Sequence, residues 1–278
     1  MNLLCWNCHG LGNPQIEQEL GDMIRAQDSS VVFLAETWLD KARLEAIKVR
    51  YKFGGMIEVS WDNRGGGVAI FWKAECDFTV DTYSLNHIDA IVNKGKEEEW
   101  RFIGFYGELD TNLRYESWDK LRRLKNKYSI PWVCAGDFNE ITKAHEKLGG
   151  RPRPVKQMEA FREVLDECGF KDLGFVGSKY TWWRGNGGNN TIWERLDRVV
   201  ATTDWIEIFS ATKVVHLECG SSNHKPIIIL PKGITKRRKK PWRFEQMWLE
   251  DPGCKEIVVS AWGRFFLGGP MDQVEGKI

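Results

Sequence analysis

Asp137 and Asn139 stand two residues apart at the end of the apolar run Pro131-Trp132-Val133-Cys134-Ala135-Gly136. A carboxylate beside a carboxamide can orient a water and take its proton, or bind a divalent cation. Residues two apart on an extended chain share a face, so both side chains are expected on one side and Phe138 on the other. Taken alone, Asp-Phe-Asn is more simply a polar turn that closes a strand. Other apolar runs also end in polar groups: Asn7, Glu36, Tyr106, Asp197, and the turn Ser222-Asn223-His224-Lys225. Together these supply a carboxylate metal ligand, a water-activating pair, a phenol and an Asp–His pair. That inventory suits metal-assisted cleavage of a phosphate ester, where a divalent cation neutralises charge on the transition state and the leaving oxygen. Hard oxygen donors select Mg²⁺ or Mn²⁺ over zinc.

The elements that must position these groups are short and mostly extended. Residues 2–6 read as a strand followed by a polar, glycine-containing loop. Asn13 suits a helix cap and Pro14 a first helical position, before Ile16, Leu20, Met23 and Ile24 recur at helical spacing. Residues 31–35 form a second buried strand, and 51–106 a run of antiparallel strands. Arg64-Gly65-Gly66-Gly67 reads as a hairpin turn, because no Gly-Lys-Ser/Thr or helix follows it as a phosphate cradle requires. Tyr115, Trp118, Leu121, Leu124 and Tyr128 mark an amphipathic helix. Met158, Phe161, Leu165 and Cys168 mark another, stopped at Gly169. Residues 180–183, 192–201, 212–217 and 226–230 read as strands, with a hairpin tip at 185–190 and a helix at 254–266. Helices at 14–27, 115–128 and 157–168 among so many strands indicate an α/β (α+β) architecture.

The 278 residues leave room for one large domain or two small ones. Net charge is +1, and residues 1–235 carry 31 Lys and Arg against 33 Asp and Glu. A groove for a polyanion must therefore be built from local basic residues or bound metal. Lys236-Arg237-Arg238-Lys239-Lys240 is the one basic run. The seven cysteines are scattered and imply no disulfide framework. Cys5 and Cys8 lack a second pair at zinc spacing, and Cys5 lies inside a strand rather than at a helix start, so both read as buried thiols. The N-terminus is not a signal peptide, and no apolar run approaches the roughly 20 residues of a membrane helix. Most of the 14 tryptophans belong in a core, with a few in loops able to meet bases.

Trp6-Asn7-Cys8-His9-Gly10, Ala35-Glu36-Thr37, Gly104-Phe105-Tyr106-Gly107, Gly136-Asp137-Phe138-Asn139, Glu194-Arg195-Leu196-Asp197-Arg198 and Ser222-Asn223-His224-Lys225-Pro226 occur in that order. The series resembles the ordered motifs of the endonuclease/exonuclease/phosphatase (DNase I-like) superfamily, which includes DNase I and the apurinic/apyrimidinic endonucleases. The stretches 134–141 and 146–151 bring it closest to the N-terminal endonuclease domain of plant LINE-type (non-LTR) retrotransposon polyproteins. The resemblance spans roughly residues 1–230, and more loosely the tail through Trp262. In those polyproteins a reverse transcriptase follows; this chain stops first, so a truncated or solo element is expected.

The resemblance implies a four-layer sandwich of two mainly antiparallel sheets packed face to face, with helices outside. Residues 1–231 would form the catalytic domain, and 232–278 a basic linker and the start of a truncated downstream region. The implied activity is Mg²⁺-dependent nicking of DNA to leave a 3′-hydroxyl for target-primed reverse transcription. The alternatives are a catalytically silent nucleic-acid-binding relic and a small-molecule phosphoesterase. Glu36 would bind the metal beside Asn7. Asp137 would activate the attacking water, with Asn139 helping to hold it and the phosphate. Tyr106 would contact the phosphate or leaving group, and His224 would polarise the phosphate, its tautomer fixed by Asp197. Arg151, Arg153, Trp182, Trp183 and Arg195 would touch the duplex. DNA is the implied partner of a monomeric chain without an obligate protein partner. Its setting would be the nucleus, or alternatively the cytoplasm, and not the exterior. One departure stands out. The family's Ser-Asp-His reads Ser222-Asn223-His224 here, so the residue expected at the metal keeps an acceptor oxygen and loses its charge. Weakened or metal-shifted activity is expected.

Overall fold

The computed structural model describes residues 1–60, 66–185 and 190–233, with Gly253, Glu256, Val259 and Ser260 of the tail. The chain divides into two units, Met1–Thr235 and Lys236–Ile278. The first begins with a parallel pair, β1 (Asn2–Asn7) and β2 (Ser29–Ala35), connected through α1 (Pro14–Gln27). The Asn13 side chain caps α1 by accepting from the Gln15 amide at 2.9 Å. Next come α2 (Lys41–Arg50) and the strands β3 (Gly55–Val59), β4 (Val68–Trp72), β5 (Phe78–Ser84), β6 (His87–Val92) and β7 (Trp100–Tyr106). A second parallel pair follows, β7 with β8 (Trp132–Asp137), connected through α3 (Arg114–Lys125). The chain continues through β9 (Lys147–Leu148), α4 (Val155–Glu167), β10 (Phe170–Asp172), β11 (Trp182–Arg184), β12 (Ile192–Glu194), β13 (Asp197–Thr202), α5 (Thr203–Ile208), β14 (Lys213–His216) and β15 (Ile227–Leu230).

These strands form two six-stranded sheets, ordered β14-β15-β1-β2-β4-β3 and β10-β13-β8-β7-β6-β5, and a small sheet β11-β12-β9. Each large sheet is antiparallel except for its central parallel pair. Side-chain alternation assigns the layers. Leu3, Cys5, Val31, Phe33 and Ala35 face Ile88, Ala90, Phe102, Val133, Ala135 and Val199 in one core between the sheets. Their neighbours Leu4, Trp6, Val32 and Leu34 pack outward on α1 and α2. Ile103, Phe105 and Cys134 pack outward on α3 and α4. The result is the expected four-layer sandwich. At its centre Gly104 leaves room for Phe33 of the facing sheet, since a Cβ there would stand 2.2 Å from the Phe33 ring.

Two helices carry little sequence signal. Only Leu44 and Ile47 of α2 are buried, too few for a readable stripe, and α5 spans a single turn and a half around Trp205. The run 192–201 is two strands rather than one. It breaks at Arg195-Leu196, where the chain passes from the small sheet to a large one. Part of the glycine turn (61–65), the hairpin tip (186–189), the basic run and the helix expected at 254–266 lie outside the described residues, apart from Glu256, Val259 and Ser260. Cys5 and Cys8 are unbridged and buried, and burial pushes the Cys8 thiol up to about 12. Among the described residues no helix is long and apolar enough to cross a membrane.

Candidate active site

Parallel pairing sets two carboxyl-terminal strand ends side by side, and the fold does this twice. Asn7 ends β1 in register with Ala35, next to Glu36. Tyr106 ends β7 in register with Asp137, the end of β8. The antiparallel β13 then starts opposite, with Asp197 paired to Asp137. Asn7, Tyr106, Asp137 and Asp197 all continue the inward-facing rows of their strands, so they converge where the core opens. Glu36 would by alternation face outward. Its φ of +52° turns the chain instead, and the Gly10 amide holds that turn by donating to the Glu36 carbonyl at 2.8 Å. A left-handed glutamate costs roughly 1–3 kcal/mol and is found where function over-determines the backbone. Asn139 corrects the expectation of simple alternation. Its φ is +55°, and its amide donates to Asp137 Oδ1 at 2.9 Å. Its side chain donates to the Gly107 carbonyl at 2.7 Å. The strand ends at Asp137, and Asn139 closes it by a local turn rather than sharing its face.

The polar groups form one network. Asn7 Nδ2 donates to Glu36 Oε1 at 2.9 Å and to Asp137 Oδ2 at 3.0 Å. The Tyr106 hydroxyl donates to Glu36 Oε1 at 2.7 Å. His224 Nδ1 lies 3.0 Å from Asp197 Oδ2, and its Nε2 lies 3.7 Å from Asp137 Oδ2. Bonding to Asp197 puts a proton on Nδ1 and leaves Nε2 facing Asp137. Asp137, Asp197 and His224 offer ligand atoms within 4.8 Å of one another. Among the described residues, no lysine or arginine pairs with Glu36, Asp137 or Asp197. Among the described residues, the site's negative charge is met by two imidazoles, His9 and His224, and by neutral donors.

Electrostatics follow from that. Burial and the Asp197 charge raise the Asp137 carboxyl to about 7, against the lowering effect of His224 and Asn7. Burial alone would lower the His224 pKa, but Asp197 and Asp137 outweigh it and raise it to about 9. Burial pushes Glu36 up, yet bonds from Asn7, Tyr106 and His9 leave it below the ordinary value and ionised. Burial and the Glu36 and Asp137 charges push the Tyr106 phenol far upward, so it stays protonated.

Asn223 precedes His224 in a turn stitched to the site. The Trp183 amide donates to the Asn223 carbonyl at 3.1 Å, and Asn223 Oδ1 is buried without a hydrogen-bond partner. A ligand set of carboxylate oxygens and one imidazole, with an orphaned acceptor on the residue before that histidine, fits a divalent cation. Trp182 packs on Ile141, Met158 and Leu196, with its ring 6.3 Å from His224. Arg151 is exposed on the loop after β9. Arg153 and Arg195 are elsewhere engaged. Arg153 bridges Glu140 at 3.1 Å and Glu194 at 2.9 Å, and Arg195 bridges Glu146 at 3.0 Å and Asp172 at 2.9 Å. Both guanidiniums are thus neutralised inside the protein rather than held out to a duplex.

Sequence reasoning passed over four supporting groups. Thr181 Oγ1 accepts from the amides of Leu196 and Asp197, both at 3.0 Å. Trp6 Nε1 donates to the His224 carbonyl at 3.0 Å. Ser222 Oγ donates to the Asn7 carbonyl at 3.2 Å. His9 Nδ1 lies 2.8 Å from Glu36 Oε2. Ser222 and His9 flank recognised residues and could have been flagged by adjacency. Thr181 carries no such signal, because its role depends on a contact 16 residues away.

Residues 4–217 match the model of the Endonuclease/Exonuclease/phosphatase family. The chain belongs to that family of nucleases and phosphatases. Among solved structures it is similar to the endonuclease domain of TRAS1, a telomere-specific non-LTR retrotransposon, at 16% identity and TM-score 0.60, covering 82% of this chain and 96% of that one. It is similar to the 3′-5′ exonuclease NExo from Neisseria meningitidis at 17% identity and TM-score 0.63, covering 83% and 99%. It is also similar to the AP endonuclease LMAP from Leishmania major at 17% identity and TM-score 0.61, covering 82% and 86%. At these identities the likeness is one of fold.

Proposed function

We propose that the domain is a divalent-metal-dependent endonuclease of retrotransposon origin that nicks DNA and leaves a 3′-hydroxyl. One observation carries this reading: three buried carboxylates converge, and among the described residues no arginine or lysine pairs with them. Such a cluster needs a cation, and the phosphate it would act on needs one too. DNA is favoured as substrate because a protein of similar fold, a variant of the 3′ phosphatase NExo from Neisseria, has been solved bound to a product DNA hairpin. The resemblance of 134–141 and 146–151 to LINE endonucleases points the same way. A nuclear setting and a monomeric state belong to this reading, with residues 1–231 as the catalytic domain.

Each residue then has a task. Asp137 Oδ2 accepts a proton from the attacking water, a role suited to a carboxyl whose pKa is raised to about 7. Asn139 fixes the other Asp137 oxygen through its amide. His224, cationic below about 9, donates from Nε2 to a non-bridging phosphate oxygen, while Asp197 holds Nδ1. Tyr106 and Asn7 keep Glu36 ionised and aimed. Water's oxygen bonds to phosphorus, the P–O3′ bond breaks, O3′ takes a proton from bulk water, and Asp137 afterwards returns the proton it accepted to solvent. Glu36 and Asp137, joined by Asn7, together with Asn223 of the turn that carries His224, would hold Mg²⁺, which when bound neutralises charge on the phosphate and on the leaving oxygen.

A second reading, a silent DNA-binding relic, is favoured by Asn223. Supercoiled plasmid incubated with Mg²⁺, Mn²⁺ or EDTA, beside Asp137→Ala, separates the two. Nicking that needs metal and Asp137 supports the enzyme. DNA binding without nicking supports the relic, and hydrolysis of small phosphoesters alone supports a phosphatase.

A further inference from the structure

Trp38 lies beside the candidate site and is 47% exposed. Its backbone is left-handed, with φ +51°, as are those of His9 at +49° and Glu36 at +52°. A bulky residue avoids that region unless its surroundings impose it. Here they do. The Trp38 amide donates to the Gly66 carbonyl at 3.2 Å, Leu11 donates to Thr37 at 2.9 Å, and Gly10 donates to Glu36 at 2.8 Å. The indole rests on Gly10, where a Cβ would come within 2.6 Å of Cε3. The His9 ring lies against it, with centroids 4.7 Å apart and planes tilted by 56°. His9 in turn meets Glu36 Oε2 at 2.8 Å. A strained backbone thus holds a large aromatic surface toward solvent, one imidazole away from the proposed metal carboxylate. Burial would have been the favourable place for an indole with no other task.

We propose that Trp38, oriented by His9 and Gly10, is a nucleobase-stacking platform for the nucleotide next to the scissile phosphate. This rests on the DNA reading above. The His9 ring bridges the indole to Glu36. An indole face stacks on any base, so the platform sets no sequence. It requires instead that the base be free of its helical stack. The preferred substrate class is therefore DNA with an unstacked base beside the cleaved bond, as at a bulge, a frayed end or a single-strand junction.

The test compares two probes by fluorescence anisotropy in EDTA: a single-stranded thymidine oligonucleotide and an abasic deoxyribose-phosphate chain of equal length. The wild type is expected to prefer the base-bearing strand by roughly 5- to 100-fold, the range of one stacked base. Trp38→Ala is expected to cut that preference at least fivefold while leaving affinity for the abasic chain unchanged, and Trp38→Phe to retain most of it. An unchanged preference in Trp38→Ala overturns the proposal, as does an equal loss for both probes. If Trp38→Ala is poorly folded by thermal melting, retention in Trp38→Phe against loss in Trp38→Leu decides. Plasmid nicking run alongside keeps the two readings apart. Metal-dependent nicking with no Trp38 effect on base preference sinks the platform and keeps the nuclease. A Trp38-dependent preference without nicking keeps the platform and sinks the nuclease, and no DNA binding by the wild type sinks both.

Discussion

Two buried carboxylate clusters sit side by side in this domain and are built on opposite rules. In one, Glu140 and Glu146 are met by Arg114, Arg153, Arg195 and Arg198, with Asp172 and Glu194 completing the pairs. In the other, Glu36, Asp137 and Asp197 are met by Asn7, His9, Tyr106 and His224. The same short segments feed both. Asp137 enters the second cluster and Glu140, three residues on, the first. Glu194, Arg195 and Arg198 join the first, while Asp197 between them joins the second. Buried carboxylates with arginine partners hold a fold together, because losing either partner strands a charge. Buried carboxylates without such partners destabilise it and persist where a cation or a proton is to be managed.

The largest effect on this contrast is expected from Asp137→Asn. Nicking is expected to fall 10²- to 10⁴-fold, the range of a lost general base. Melting temperature is expected to hold or rise, because a carboxyl whose pKa is raised to about 7 is relieved by neutralisation. Differential scanning fluorimetry checks this. A fall as large as that of a scaffold variant would erase the distinction.

Glu146→Gln tests the other cluster. Glu146 Oε2 accepts from Arg198 at 2.8 Å and from the Thr142 amide at 2.6 Å. The amide presents a donor to donors and leaves Arg198, fully buried, short of a counter-charge. The expected loss is about 3–5 kcal/mol, or roughly 10 °C for a domain of this size. It should be measured by urea and thermal unfolding.

The clusters also pull on stability from opposite ends of the pH scale. His224 holds its proton up to about 9 in the fold, against an ordinary value near 6.5. The native state therefore binds more protons across that window, and stability falls as pH rises through it, by at most about 1.4 kcal/mol per pH unit. Asp137, also raised, adds a fall from about pH 4 to 7. Burial pushes Glu146 and Asp172 up, but Arg198 leads the partners that outweigh it, and both end below their ordinary values. Their contribution is present above the ordinary carboxylate range and is lost as pH falls through their folded values. In EDTA, His224→Gln is expected to flatten the alkaline limb of melting temperature against pH and Glu146→Gln the acid limb.

Much of this was legible in the chain. The strand runs, the α1 cap and the polar residues ending each run lay in order, and the family resemblance supplied a sandwich that the two sheets reproduce. Which cluster an individual charge joins was not legible. Arg153 reads as a duplex contact because prolines flank it in a loop, and Arg195 because it lies in a motif of the family that the chain resembles. Their carboxylate partners come from positions 13 to 49 residues away, such as Glu140 and Glu146. Asn139 read as sharing the Asp137 face because alternation was assumed past the strand's end, where a left-handed turn intervenes. Glu36 points into the site for the same kind of reason. Period-two reasoning fails at strand ends, and this fold places its polar groups there.

The smallest expected effect concerns Asn223, and its sign depends on the metal. Oδ1 of Asn223, the residue before His224, is a buried acceptor without a partner. Asn223→Asp adds one more carboxylate there and no cation. In EDTA the change should lower the melting temperature, since like charges in a buried site repel. In excess Mg²⁺ the loss should reverse, because a ligand bound to the native state alone stabilises it by mass action. Nicking should rise about tenfold, short of the roughly 10²- to 10³-fold that one preorganised electrostatic contact supplies. The Glu146 cluster, already balanced by arginine, offers Mg²⁺ nothing, so Glu146→Gln should show the same melting deficit with and without metal. If Asn223→Asp melts identically in EDTA and Mg²⁺, position 223 lies outside the cation's reach and the metal role of that residue is lost. The comparison would then rest on Glu36, Asp137 and Asp197 alone.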